Sequence, residues 1–301
     1  MDKTAFLTAL QNKKIEYVLN EPMSRHTTFK IGGAADILIS VKSADELSYV
    51  LRAANQHSVP NFLLGKGSNL LVSDNGIEGA VITLSGIDDI SICGNTLVCG
   101  AGTTLRSICI AAQKSGLSGL EFAFGIPGSV GGAVYMNAGA YGGEISQVIK
   151  SATVMDKSGN LREVSAADMA LGYRTSAFKS NGDIILSAEF ELTPDDDDLI
   201  RERMEDYFGR RREKQPLEYP SAGSTFKRPA GYFAGALIEQ NNLKGISVGG
   251  AEVSVKHAGF VINKDNATCS DVRTLIKKIQ KTVMDNNGVQ LEPEVIFVGR
   301  E

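Results

Sequence analysis

One stretch constrains the fold more than any other: Gly125–Gly143, which reads GIPGSVGGAVYMNAGAYGG. Seven of its residues are glycine, three are alanine, and none is charged. A flexible linker is polar, whereas here Ile126, Val130, Val134, Tyr135 and Met136 interleave with the glycines. Glycine lacks the Cβ that holds backbone away from a ligand, and it accepts positive φ where several amides must converge. Val130–Ala138 suits a short helix whose N-terminal amides would face an anionic group. Two readings fit this spacing equally. One is a buried cradle for a large ligand with a pyrophosphate, and the other is a packed turn whose small residues allow close helix contact.

Around this stretch the chain alternates helical and extended patterns. Residues 3–14 read as a short helix, Ala35–Val41 as a strand, and Ser43-Ala-Asp-Glu46 as a capping box ahead of Leu47, Val50, Leu51 and Ala54 at helical spacing. Asn61–Leu64 is a short apolar strand that runs into Gly65-Lys-Gly-Ser-Asn-Leu-Leu71. That loop is not the dinucleotide fingerprint, because a strand follows where the motif requires a helix. An anion loop and a hairpin turn both fit it. Gly100-Ala-Gly-Thr-Thr104 opens a helix over Leu105–Ser115, and strands are expected at Ser151–Val164 and Ile184–Leu192. Asp195–Asp198 complements the macrodipole of a helix reaching about Glu213. Arg210-Arg-Arg-Glu-Lys214 reads as that helix's basic last turn, with phosphate binding as the alternative. Beyond Pro216, Gly231–Asn242 and Ser270–Asn287 read as helices and Val289–Val298 as a closing strand.

The chemistry that is absent narrows the function. No G-x-S-x-G elbow accompanies Ser221 or Ser224, and His26, His57 and His257 lie in unrelated contexts, which argues against a serine hydrolase. No G-x-x-x-x-G-K-[ST] loop occurs. The four cysteines form no C-x-x-C pair and have no histidine at zinc spacing, so no metal site is expected and the thiols read as free and mostly buried. A net charge of −4 gives no reason to expect nucleic acid. The N-terminal MDKTAFLTALQNKK lacks a signal peptide's apolar run, and nothing is long and apolar enough to span a membrane. A cytoplasmic monomer is expected. The texture of the chain changes after Pro216, and the boundary to a last domain is placed near there.

Six segments then fall into one pattern. They are Thr27–Ala35 (TTFKIGGAA), Gly65–Leu71 (GKGSNLL), Gly125–Gly142, Tyr173–Lys179 (YRTSAFK), Ser221–Lys227 (SAGSTFK) and Leu291–Val295 (LEPEV). In identity and order they resemble the UDP-N-acetylenolpyruvoylglucosamine reductase family, flavoenzymes of peptidoglycan precursor synthesis. Strand Ile184–Leu192 follows YRTSAFK almost directly, which is similar to the shorter class without an inserted tyrosine-bearing loop.

The resemblance implies an α+β chain with an FAD-binding fold of the vanillyl-alcohol-oxidase (PCMH) type. Residues 1–80 and 81–216 would be its two subdomains, and 217–301 a C-terminal α+β substrate-binding domain. It implies non-covalent FAD, NADPH as co-substrate, and a UDP-sugar substrate reduced to UDP-N-acetylmuramate. The flavin would be held by Gly65, Lys66, Gly67, Ser68, Asn69 and Leu70, and by Gly125, Pro127, Gly128, Ser129, Gly131, Gly132, Asn137, Gly139 and Ala140. The family's catalytic positions fall on Arg174, Ser224 and Glu294. Arg174, with Glu294 in its protonated form or acting through a water, would stabilise an enolate, and Ser224 would protonate it, with a hydrogen bond from Lys227 to help so weak an acid. Tyr173, Lys227 and Arg228 are the candidates for substrate binding, Arg228 without a matching family position. Glu292 shares a strand face with Glu294 at period two, so only the resemblance separates them.

Overall fold

A computed structural model describes residues 1–301, which divide into two compact units. The first comprises Met1–Val18, Leu38–Lys66 and Ala80–Arg211; the second comprises Leu19–Ile37, Gly67–Gly79 and Arg212–Glu301.

The first unit carries a five-stranded antiparallel sheet in the order Leu161–Ser165, Ile149–Met155, Ile184–Glu191, Thr96–Gly100, Ile90–Cys93. Its helices are α1 (Lys3–Asn12), α2 (Ala44–Gln56), α3 (Leu105–Lys114), α4 (Val130–Met136), α5 (Phe178–Asn181) and α6 (Asp197–Lys214), whose last turn crosses the unit boundary. Strand Asn61–Leu64 pairs in parallel with Ile77–Thr83, Leu63 opposite Ile82. These two belong to a four-stranded sheet whose other strands are Ala34–Ser40 and Tyr17–Pro22. The sheet's alternating residues, such as Ile37 and Ile39, are fully buried, as period-two side chains facing a core must be.

Local signals place the helix starts well. Ser43 Oγ accepts the Glu46 N–H over 3.1 Å at the start of α2. The expected box closes differently, however, because the Glu46 carboxylate takes the N–H of Lys42 rather than of Ser43. The acids before α6 act as caps: Asp196 Oδ1 accepts the N–H groups of Asp198 and Leu199. They complement the helix dipole where donors lack partners.

The second unit is built from three separate segments around α7 (Ala234–Gln240) and α8 (Cys269–Asn287). Thr268 and Asp271 form a reciprocal capping box, and Gly288 in the left-handed region ends α8. Val272, Leu275, Ile276, Ile279 and Val283 make the inward stripe expected of it, each all but fully buried. They pack in one cluster with Phe29, Leu71, Phe226, Leu237, Val253, Val261 and Leu291. A small antiparallel sheet, Ser247–Val248, Ala251–Val253 and Val261–Asn263, lies beside α8. Strand Leu70–Val72 pairs in parallel with Ile296–Val298 at the C-terminus.

Two expectations change here. The helix expected over Gly231–Asn242 covers only Ala234–Gln240, and Tyr232 and Phe233 before it are exposed. The closing strand expected from Val289 begins only at Ile296. Pro293 cannot donate to a ladder, and its neighbours send their backbone bonds to the loop at Thr225–Lys227.

Candidate functional site

The glycine stretch of the first unit resolves into α4 and its flanks. Ser129 caps α4, its Oγ accepting the Gly132 N–H over 3.4 Å, and Asn137 closes it in the left-handed region. The N-terminal amides of α4 are not offered to an anion. Val130 N–H donates to the Thr103 carbonyl and Gly131 N–H to the Ala101 carbonyl, both over 2.9 Å. The turn Gly100–Thr104 therefore supports α4 instead of adding donors for a ligand. Close approach explains part of the glycine content: a Cβ on Gly131 would stand 2.9 Å from that of Ala101, and one on Gly143 2.6 Å from the Phe122 ring. For this part of the stretch the packed turn is the better account.

Free donors lie in the other loop. The backbone N–H groups of Gly65, Lys66, Gly67, Ser68 and Asn69 make no hydrogen bond within the protein. Consecutive amides of this kind form a concavity that suits an anion. Gly67 has φ +61°, and a Cβ there would lie 2.2 Å from the His26 carbonyl oxygen, so the turn admits only glycine. No acid occurs in Gly65–Leu71 or in Gly125–Ala140, and Lys66 adds a cation. A Cβ on Gly65 would stand 3.0 Å from Ser129 Oγ, so the two loops meet within the first unit. Donors without acceptors, absence of acids and a glycine-only turn together fit a phosphorylated cofactor such as FAD.

YRTSAFK is fastened to the end of α4. Gly172 and Thr175 exchange both backbone bonds around a tight turn whose corners are Tyr173 and Arg174. Arg174 has φ +54°, a conformation that costs a side-chain-bearing residue on the order of 1 kcal/mol or more. The turn is held by neighbours that over-determine it. Asn137 Nδ2 donates to the Gly172 carbonyl, Lys179 Nζ to the Arg174 carbonyl over 2.6 Å, and Ser176 Oγ to the Tyr135 carbonyl. Arg174 Nη2 in turn reaches the Gly139 carbonyl at 3.3 Å, and its guanidinium lies 5.4 Å from the Tyr173 ring centre. The Asn137 side chain is spent on this scaffold, its Oδ1 accepting from Ser146 N–H.

Ser224 and Glu294 both belong to the second unit. Ser224 follows Gly223 at φ +77°, is exposed, and its hydroxyl makes no hydrogen bond to protein. The next residue, Thr225, is buried and rigid: its Oγ1 accepts the Val261 N–H and its own N–H donates to the Gly259 carbonyl. Thr225 also accepts the Glu294 N–H over 2.8 Å. Sequence reasoning passes over Thr225, although a hydroxyl buried beside Phe226 in an otherwise polar loop is the signal that could have found it.

Two sequence expectations are corrected. Lys227 Nζ pairs with the Glu292 carboxylate, so it is not the donor to Ser224 Oγ. Glu292 and Glu294 do not share a strand face, since no strand exists there; Glu292 points to solvent while Glu294 is half-buried. Arg228 stacks its guanidinium 4.0 Å from the centre of the exposed Phe233 ring.

Two family models and several known proteins match the chain. The family model for the FAD binding domain matches residues 35–165, and that for the UDP-N-acetylenolpyruvoylglucosamine reductase C-terminal domain matches residues 215–298. A protein named UDP-N-acetylenolpyruvoylglucosamine reductase from Clostridium novyi is 49% identical over 297 residues, 96% of this chain and 97% of the relative. One of the same name from Clostridium botulinum is 50% identical over 94% of this chain and 93% of its own. Among solved structures, the crystal structure of the Thermus caldophilus protein of that name superposes with a TM-score of 0.80 at 34% identity, covering 94% of this chain and 98% of that one. Physcomitrella patens BBE-like 1 aligns with a TM-score of 0.50 at 15% identity, over 64% of this chain and 45% of its own, a likeness of fold alone.

Proposed function

The chain belongs to the UDP-N-acetylenolpyruvoylglucosamine reductase family, and on that premise we propose how its own residues divide the work. It is an FAD-dependent oxidoreductase that reduces the enolpyruvyl ether of UDP-N-acetylglucosamine enolpyruvate in peptidoglycan precursor synthesis, with NADPH as the reductant. Bound FAD supplies the two-electron relay between NADPH and the substrate's terminal vinyl carbon.

Gly65–Asn69 would hold the cofactor diphosphate through its consecutive free amides, and the Gly125–Ala140 segment would wall the cofactor with small residues. The reduced substrate passes through an enolate delocalised into its carboxylate. Arg174, fixed in position by its strained turn, would neutralise that charge, and Glu294, protonated or through a water, would donate a hydrogen bond to it. Ser224 would give its hydroxyl proton to the other carbon. A serine is a weak acid, and the transfer works because a carbon enolate is strongly basic. Tyr173, Lys227 and Arg228 would orient the nucleotide-sugar, Lys227 by exchanging Glu292 for a phosphate oxygen.

The observation that carries the serine assignment is the exposed Ser224 hydroxyl, unengaged by protein and mounted directly beside the rigid Thr225. No helix is long and apolar enough to cross a membrane, and we place the enzyme in the cytoplasm as a monomer, with residues 217–301 as the substrate-binding part. The spectrum of the purified protein tests the whole reading. A yellow protein bleached by NADPH and recoloured by UDP-N-acetylglucosamine enolpyruvate supports it. A colourless protein that takes up no flavin would overturn it in favour of a nucleotide-sugar binder.

A further inference from the structure

We infer that Arg211 receives a diphosphate oxyanion from one of the reaction's phosphorylated ligands, beside the start of the glycine stretch. This rests on the reductase reading above. Arg211 stands on the last turn of α6, in the first unit. A Cβ built on Gly125 would lie 3.0 Å from Arg211 Cδ and 3.3 Å from Phe208 Cδ2. The arginine stem thus runs along the backbone at which GIPGSVGG begins.

Its charge has no counterpart within the protein. The half-buried guanidinium has no carboxylate within the 4.0 Å of an ion pair and donates no hydrogen bond to protein. Its helix offers none either. The positions three and four residues away are Phe208, Tyr207, Lys214 and Gln215. Three of the four other arginines of α6 are paired, Arg203 with Glu121 and Asp195, Arg210 with Asp206 and Arg201 with Asp198, while the fourth, Arg212, is exposed to water. Burial pushes the Arg211 guanidinium down, with the Tyr141 phenol opposing. Tyr141 stacks on Tyr207 with ring centres 5.2 Å apart and planes 5° from parallel, a flat wall with phenol hydroxyls at its edges.

A guanidinium withdrawn from water without an acceptor is costly, and such charges persist where a ligand supplies the partner. The planar fork of five N–H groups matches phosphate oxygens. All three ligands (FAD, NADPH and the UDP-sugar) carry a diphosphate, whereas the substrate's carboxylate is already assigned to Arg174. The shared chemistry is therefore a diphosphate, and the source is a matter for measurement.

The test uses the full chain with Arg211→Gln, and Arg211→Lys to retain charge. Three dissociation constants are measured: FAD by flavin fluorescence, and NADP⁺ and UDP separately by the change each makes in the bound flavin's absorbance. One of the three should weaken about tenfold or more in Arg211→Gln, as loss of a charge-assisted hydrogen bond requires, with partial recovery in Arg211→Lys. The weakened ligand identifies the source. Three unchanged constants overturn the inference. So does an altered flavin midpoint potential with all three constants intact, which would put Arg211 against the isoalloxazine instead. A wild-type protein that binds no flavin would sink the reductase reading itself, a failure distinct from either.

Discussion

Asn69 donates its side-chain amide to the main-chain carbonyl of Glu294 over 3.1 Å, across 225 positions of chain. The same glutamate donates its N–H to Thr225, so its peptide is gripped on both sides within the second unit. The loop from Gly67 onward and the segment LEPEV are thereby joined within the second unit. Asn69→Ala should cost about 1 kcal/mol in urea unfolding, the usual net worth of such a bond. It should also slow flavin reoxidation by substrate more than flavin reduction by NADPH. Unfolding at the wild-type midpoint with both half-reactions unchanged would dissociate Asn69 from Glu294.

Ser224→Ala separates the half-reactions further. The exposed hydroxyl supports no part of the fold, so stability should stay within about 0.5 kcal/mol. Stopped-flow reduction by NADPH should remain near wild type while reoxidation falls by about 10²-fold or more. Equal losses in both directions would remove Ser224 from proton transfer.

Gly67 and Gly94 make a matched pair of left-handed glycines, at φ +61° and +58°. Alanine at Gly94 would meet nothing within 4 Å and pays only the conformational cost, about 1 kcal/mol. Alanine at Gly67 would also press on the His26 carbonyl from 2.2 Å. Gly67→Ala should therefore lose considerably more stability and purify with depleted flavin, whereas Gly94→Ala keeps its colour. Equal flavin content in the two variants would show that the loop's shape does not matter for the cofactor.

Arg203 holds the buried Glu121 carboxylate through Nε and Nη2, at 3.1 and 2.9 Å. Ser118 Oγ and Gly119 N–H donate to the same carboxylate. Arg203→Met would leave a buried charge without its cation and should cost about 3 kcal/mol in chemical denaturation. Adding Glu121→Gln should recover much of that loss. A double variant as unstable as the sum of its parts would show that the two residues do not act together.

Cys99 is fully buried, and burial pushes its thiol up from the ordinary 9.0 to about 12. The folded chain then keeps a proton that the unfolded chain releases above pH 9. Stability from this group is complete below pH 9 and declines as pH rises toward 12, by at most about 1.4 kcal/mol per pH unit. Cys99→Ala should flatten the fall in unfolding free energy between pH 8 and 10.5 relative to wild type. An unchanged slope would mean the thiol is not protected. Cys93, exposed, should be the thiol that reacts with a disulfide reagent in the native protein.

Much of this architecture was legible because it is written in short-range patterns. The stripe of α8 can be read from spacing alone, as can the strand–loop–strand at Gly65, whereas the Thr268–Asp271 box that starts α8 two residues ahead of the expected Ser270 emerges only in the structure. What stayed hidden depends on partners far away in the chain. The amides at the start of α4 looked available because nothing local shows that Ala101 and Thr103 carbonyls already hold them. Glu292 and Glu294 looked equivalent because period two assumes a strand, and the Thr225–Lys227 loop takes those backbone bonds instead. Arg211 sat in a run of basic residues where only its surroundings distinguish it from its neighbours.

The parallel pairing of Leu70–Val72 with Ile296–Val298 has a consequence for biosynthesis. A growing polypeptide has its glycine turn early but lacks the strand that lies alongside it until Ile296–Val298 have been made. Cofactor capture should then wait until that second strand has been made. Messages truncated shortly before codon 296 should yield colourless chains even when most of the protein is present.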